Sequence, residues 1–548
     1  MFKTSMRKLP SILALLCLMV TSAWAETIDL STVTASKTAQ DGDVLTGTLD
    51  GTTQKYKISI ADGATVTLDG VSINGVTDGA ADASLSTVNW AGLTCEGNAT
   101  IILKEGTTNT VRGFYHRCPG IFVPQGYTLT IDGPGTLNAS GSISTEANHV
   151  DKSGNLITCA PGIGSAVLVT AGNIVINGGT INATGGWASA SIGGNFLTGC
   201  GNITITGGTV NATGSLAAAG IGGGWVTSCG DIAITGGTIN ATGGDYINSD
   251  ATGNDGGPAI GGSPCGSCGT ITIGGTANVT VTKGLGAPYS IGQGGSWNGV
   301  SASCGTVTVF GVEGQISNSP YTCISLSEES DNSKTLTMYD GQTADVTMTR
   351  TLQAGSWNTF AAPFSTTIPD GWTVKELSSA TLADGKLTLN FATAASIVAG
   401  KPYLVKVTAN TDLSTAPFTG AIVSKEAQPF TSTDVDFIPT LGATTIEGSD
   451  TKAVLFLAAN NTLLNPSALP ADMKGFRAYF QLKGDAVNAA SFNLDLGDGE
   501  TTGIISVNGS GLMVNGYDGC YDLLGRRIEG QPTQKGVYIV NGKKVIIK

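Results

Sequence analysis

The chain has 548 residues, room for two or three domains, and its 79 glycines are about twice the usual share. Its 28 Lys and Arg against 41 Asp and Glu give a net charge of −13. That balance argues against nucleic acid as a partner and suits calcium, or neutral and calcium-bridged ligands. After the N-terminal 25 residues no apolar run is long enough to span a membrane.

Residues 1–25 read as a secretory signal: Lys3, Arg7 and Lys8 precede an apolar run over 9–20, and Ala23-Trp24-Ala25 forms a small-x-small cleavage site. Cleavage there starts the mature chain at Glu26 and takes the net charge to −16. Leu16 before Cys17 is too large for lipoprotein processing. Residues 26–61 contain strand-like segments expected to cap the open end of a stack of repeats, since such stacks need capping.

Residues 62–315 are built on one repeated sentence. Gly-Asn-Ile-Val-Ile-Asn-Gly-Gly-Thr-Ile-Asn-Ala-Thr-Gly at 172–185 recurs after Cys200-Gly201, Cys229-Gly230, Cys268-Gly269 and Cys304-Gly305. Taking one apolar residue per copy gives the series Val66, Ile101, Leu129, Ile174, Ile203, Ile232, Ile271 and Val307, at steps of 35, 28, 45, 29, 29, 39 and 36 residues. Each copy carries an apolar-polar-apolar triplet, such as Ile203-Thr204-Ile205, cut by paired glycines. That is the period of a strand with one buried face, in a unit too short to bury that face alone. The units therefore stack as a parallel β-helix of at least eight turns, right-handed by the general preference of parallel connections.

Glycine density falls after Phe310, and 316–344 reads as a linker or cap. Residues 345–499 alternate over 346–352, 357–364, 387–391, 402–407, 453–457, 477–482 and 491–496, which predicts a β-sandwich. Residues 500–548 form a small β module with Asn541-Gly542 as a hairpin turn. The fold class is thus all-β: a right-handed parallel β-helix followed by a β-sandwich and a small C-terminal β module.

Ten cysteines remain after cleavage, in a compartment that permits disulfides. Cys200, Cys229, Cys268 and Cys304 share one repeat position, filled by Ala171 in the preceding copy, and read as a column of buried thiols, because stacked parallel Cβ atoms suit disulfide torsions poorly. Cys95, Cys118, Cys159, Cys265 and Cys323 stand outside the column and have room for one bridge, and the tenth, Cys520, lies in the tail; Cys265-Gly-Ser-Cys268 lacks the second pair of a zinc site. Asn182, Asn211 and Asn240 each open an Asn-Ala-Thr sequon, yet their spacing makes a ladder of stacked amides the stronger reading, with Asn278 one residue out of step.

Lyases on this fold need a Lys or Arg base beside calcium-binding carboxylates, and hydrolases need clustered carboxylates. The repeats are poor in both. The only histidines are His116 and His149, and His116-Arg117 beside Cys118-Pro119 reads as a solvated loop pair. No catalytic residue is expected. Phe196 and Trp225 follow Ile-Gly-Gly units, Trp297 follows a related unit two residues later, and Trp187 and Tyr246 extend the series. Rings in register on one side of a stack are suited to binding successive sugar faces, while covering a glycine-rich corner is their ordinary reading. The insertion at 244–257 gathers Asp245, Asn248, Asp250, Asn254 and Asp255, hard oxygen donors of the kind calcium takes, without EF-hand spacing; a plain solvated loop is its ordinary reading.

Two resemblances add to this. The tail, with Tyr521-Asp522-Leu523-Leu524-Gly525-Arg526-Arg527-Ile528 and then Gly536 to Val540, a turn and a basic strand, resembles C-terminal sorting modules of secreted Bacteroidetes-type proteins, implying surface delivery and attachment to the cell envelope. The segments 99–109 and 120–131 with the Ile-Gly-Gly repeats resemble secreted β-helix proteins classed as carbohydrate-binding domains, which implies calcium binding and recognition of acidic plant polysaccharide. The expected function is a secreted or cell-surface, non-catalytic polysaccharide-binding protein. A structural or adhesive surface protein that binds host glycoprotein or other cells is the second reading, and a polysaccharide lyase the third.

Overall fold

The computed structural model describes residues 25–548 except 52, 55, 75–90, 115–117, 142–159, 167–168, 197, 247–255, 298, 459–460, 498–500, 505–519, 523–526, 529–535, 541–542 and 548. By contact the chain divides into two compact units. One comprises 1–232, 240–270 and 282–305; the other comprises 233–239, 271–281 and 306–548.

The first unit is a coil whose turns stack through three parallel ladders, as the glycine-cut triplets demand. One ladder runs through Thr27–Asp29, Val44–Asp50, Ala64–Asn74, Ala99–Leu103, Thr128–Asp132, Asn173–Ile176 and Ile203–Ile205. A second runs through Thr108–Arg112, Thr136–Ser140, Thr180–Thr184 and Thr209–Thr213. The third is a sheet of nine short strands from Lys37–Ala39 to Ile291–Gly292. Within them alternate residues point inward. Ile163, Ile192, Ile221, Ile260 and Ile291 form one column, each with no exposed surface, and Ile174 on Ile203 belongs to another. Each fully buried isoleucine contributes about 1.5–3 kcal/mol.

The corners after this Ile column are made of glycine for a geometric reason. Gly193 has φ +131° and Gly222 φ +133°, and a methyl on Gly193 would lie only 2.1 Å from the carbonyl oxygen of Gly222 in the next turn. Side chains lock the outside of the stack. The Asn ladder is present: the amide of Asn182 donates to Asn138 (2.8 Å), Asn211 to Asn182 (2.7 Å) and Asn240 to Asn211 (2.8 Å). Asn278 instead accepts from the backbone N–H of Ser325.

Several expectations change. The strands of 26–61 are turns of the stack, since Thr27–Asp29 and Lys37–Ala39 pair in parallel with Val44–Asp50 and Ile58–Ile60. Val66 and Ile101 stack on Ile131, and Ala64 and Ala99 on Leu129, so the early members of the apolar series sit two residues out of step with the later ones. Cys268 and Cys304 are disulfide-bonded, their Cα atoms 4.7 Å apart, so the column is not one of free thiols throughout. Parallel strand neighbours at that separation fall inside the range a disulfide spans, which the expectation from Cβ stacking overlooked. Cys200 and Cys229 remain buried thiols that point at the carbonyls of Gly222 and Gly261. Cys95 and Cys323 are also free, and Cys159 lies outside the described residues.

In the second unit, Val279–Val281 meets Tyr321–Cys323 antiparallel, whereas Tyr321–Leu326 runs parallel to Thr343–Met348. Residues 316–344 are therefore no mere linker: Ile324, Leu326, and Leu336 and Tyr339 of the helix Ser333–Tyr339 enter a buried core. A six-stranded sheet containing Asn358–Ala361, Trp372–Ala383, Lys386–Thr393 and Pro402–Val407 is covered on both faces. Phe360, Tyr403 and Val405 face the 321–348 layer, while Leu389, Phe391 and Leu404 face Phe437 and Phe480 of a five-stranded sheet. The sandwich has three layers. In the tail, Gly536–Val540 pairs antiparallel with Lys543–Ile547, Val540 opposite Lys543. Among the described residues no helix is long and apolar enough to cross a membrane.

Candidate functional site

The aromatic side chains leave the coil at two sets of bends. Trp187 follows the strand Thr180–Thr184 and Tyr246 follows Thr238–Thr242; Phe196 and Trp225 follow Ile192–Gly193 and Ile221–Gly222. The residues after the two tryptophans hold left-handed backbone, Ala188 at φ +55° and Val226 at φ +62°. For β-branched Val226 this is a strained conformation, of order 1–3 kcal/mol, which the neighbouring turns must enforce. They do so by hydrogen bonding: Trp225 N–H donates to Ala188 O at 2.9 Å, and Val226 N–H to Pro264 O at 3.2 Å.

The outcome is a cluster of touching rings. Trp187 packs edge-on against Phe196 (centroids 5.5 Å apart) and Trp225 (5.9 Å), Phe196 lies 5.5 Å from Trp225, and Tyr246 lies 5.8 Å beyond Trp225. All four are half-buried. The rings touch because the bends of successive turns are only a strand spacing apart, about 4.8 Å, closer than indole rings can stand without meeting. Trp297 lies on a two-stranded piece, Ser296–Trp297 with Val300–Ser301, and its side chain is outside the described residues.

Beside the patch a cleft of about 480 Å³ is lined by Trp187, Thr213, Ser215, Thr242 and Asp245 with adjoining glycines. Asp245 is exposed, but one carboxylate oxygen accepts the backbone N–H of Leu285 at 2.7 Å, so it ties one turn to the next. Asp231 does the same for Thr270 at 2.7 Å. Of the remaining candidate calcium ligands, Asn248, Asp250, Asn254 and Asp255 lie outside the described residues, as do His116, Arg117 and His149. Among the described residues no group of three or more His, Cys, Asp or Glu is placed to hold a metal. What this surface offers a ligand is ring faces and hydroxyls, because the backbone N–H groups of Gly214, Ser215, Gly243 and Gly244 already donate to carbonyls.

Sequence reasoning missed the cleft and the hydroxyls that border it. Their signal was present: Thr184, Thr213 and Thr242 are the third residues of the three Asn-Ala-Thr triplets, whose asparagines drew the attention.

A family model described as a beta helix repeat matches residues 174–196 and 203–225. Each matched segment begins at the first inward isoleucine of a turn and ends on a ring of the patch, Phe196 or Trp225. With the parallel ladders, this defines a parallel β-helix protein. No curated protein and no solved structure matches the chain.

Proposed function

We propose that this is a secreted or cell-surface, non-catalytic polysaccharide-binding protein, in which turns of the β-helix present the sugar-binding face. The observation that carries this is the four-ring patch beside a cleft that Trp187 lines together with Thr213, Ser215 and Thr242: ring faces cover sugar C–H groups while the hydroxyls meet sugar hydroxyls. The signal-like N-terminus and the sorting-like tail support delivery to the cell surface. Ring-on-ring packing also suits a covered corner, and that favours the second reading, a structural or adhesive surface protein.

The test is binding of the mature chain to immobilised polysaccharides, with calcium and with chelator, for the native protein and Trp187→Ala. Trp187 lines the cleft from the edge of the patch, so its loss is expected to weaken retention roughly tenfold, as removal of an aromatic anchor does, with the fold retained and a loss of stability of about 1–3 kcal/mol from its two ring contacts. Unchanged retention by the variant would shift the assignment to the structural reading.

A further inference from the structure

Resting on the polysaccharide-binding reading, we infer that the ligand is an extended, uncharged polysaccharide that lies along the stacking direction, read one sugar per turn by a column of hydroxyls beside Trp187. Ser140, Thr184 and Thr213 are in-register partners on successive strands. Thr242 and Thr282 continue the column, because their carbonyls accept from Gly214 and Gly243 as that of Thr213 accepts from Gly185. Thr184, Thr213 and Thr282 are exposed, and Ser140 and Thr242 half-buried. Among the described residues no side-chain hydrogen bond engages the hydroxyls of Thr184, Thr213 or Thr242. Two residues earlier on four of these strands runs the amide ladder from Asn138 to Asn240, which fixes the register and holds the hydroxyls in line.

Spacing and charge choose the ligand. Parallel strands repeat at about 4.8 Å, comparable with the length of one sugar in an extended chain, so each turn offers one hydroxyl per sugar. Between Lys152 and Lys283 the chain has no Lys, Arg or His. The described carboxylates of that stretch, Asp231 and Asp245, cap backbone N–H groups. The column is flanked by Arg112, half-buried opposite Ser140, and by Lys283, whose ammonium donates to Pro288 O at 3.1 Å. An acidic glycan in the cleft would face Asp245, and among the described residues that line the cleft there is no Lys, Arg or His, in a protein of net charge −13. A neutral glycan needs only the hydroxyls and ring faces that are there.

The experiment is affinity electrophoresis of the mature chain through gels containing hydroxyethylcellulose, galactomannan or polygalacturonate, each with chelator and with calcium. Calorimetry with neutral oligosaccharides of increasing length accompanies it. Retention by a neutral polymer in chelator is expected, with affinity rising sugar by sugar until the column is spanned. Thr213→Val combined with Thr242→Val should weaken it roughly tenfold, the worth of two hydrogen bonds, at an unchanged thermal midpoint. Retention by polygalacturonate alone, or valine variants that bind as the native chain does, overturns this inference and leaves the polysaccharide-binding reading standing. Failure to bind any polysaccharide overturns both.

Discussion

Glycine and asparagine act as a pair in this coil. Asn173 Oδ1 accepts the backbone N–H of Asn202, and Asn202 Oδ1 that of Asp231, both at 2.9 Å, so each polar side chain reaches into the next turn. The space it enters is where the residue before the next Asn or Asp would carry its Cβ; on Gly201 that atom would lie 2.5 Å from Asn173 Oδ1. Gly201→Ala should therefore expel the amide and overpack the turn, costing about 2–3 kcal/mol, read as a shift in the denaturation midpoint. A neutral substitution would mean that the amide is not structural. Trp225 illustrates the opposite case, a residue whose function and packing overlap. It touches Trp187, Phe196 and Tyr246, and at about 0.5–1.5 kcal/mol per aromatic pair Trp225→Ala is expected to destabilise the coil by about 2–4 kcal/mol. If thermal unfolding of Trp225→Ala matches that of the native protein, the patch is looser than described.

At the scale of the strand, the stack depends on columns of inward side chains. Ile203 has no exposed surface and sits in register with Ile174. Ile203→Asp places a carboxylate in that column without a partner, and should leave the coil unfolded or insoluble; a soluble variant with native circular dichroism would refute the register. Much of that register was legible, because alternation and glycine corners leave few other ways to bury a three-residue strand. What stayed hidden was a slip of two. Ala64 and Ala99, small enough to pass as linker residues, stack on Leu129, and a shift of two keeps every side chain on its own face, so the apolar pattern cannot reveal it. The bridge was hidden for a different reason: identical cysteines in one column do not say which neighbours bond. Its loop of 36 residues is worth about 3–4 kcal/mol in the chain-entropy account. Cys304→Ser should lower the stability of the cross-linked turns by that order, and reductant should affect the native chain but not the variant.

For the whole molecule, the repeat told where the rings leave the coil but not that they touch, since contact depends on bends such as Ala188 and Val226 that no alternation encodes. The hydroxyl column was visible as letters and hidden as a surface, because only the ladders place Ser140 beside Thr184 across a long insertion. The same burial that organises both units sets their response to alkali. Cys95 and Cys229 in the first unit and Cys323 in the second are pushed by desolvation from an ordinary thiol value of 9.0 up to about 12. A thiol whose pKa is raised by folding keeps its proton in the folded chain where the unfolded chain has released it. Its contribution is complete below pH 9 and is lost as pH climbs toward 12. Tyr339, Tyr403 and Tyr479, raised from 10.0 by burial, act in the same direction from about one pH unit higher. The thermal midpoint should thus stay level from pH 7 to about 9 and fall above it. Cys200 is raised in the same way, so in a variant carrying Cys95→Ala, Cys200→Ala, Cys229→Ala and Cys323→Ala the fall between pH 9 and 10 should be shallower than in the native chain. Superimposable profiles for the two proteins would show that these thiols ionise in the folded chain as readily as in the unfolded one, and that the columns they occupy admit water.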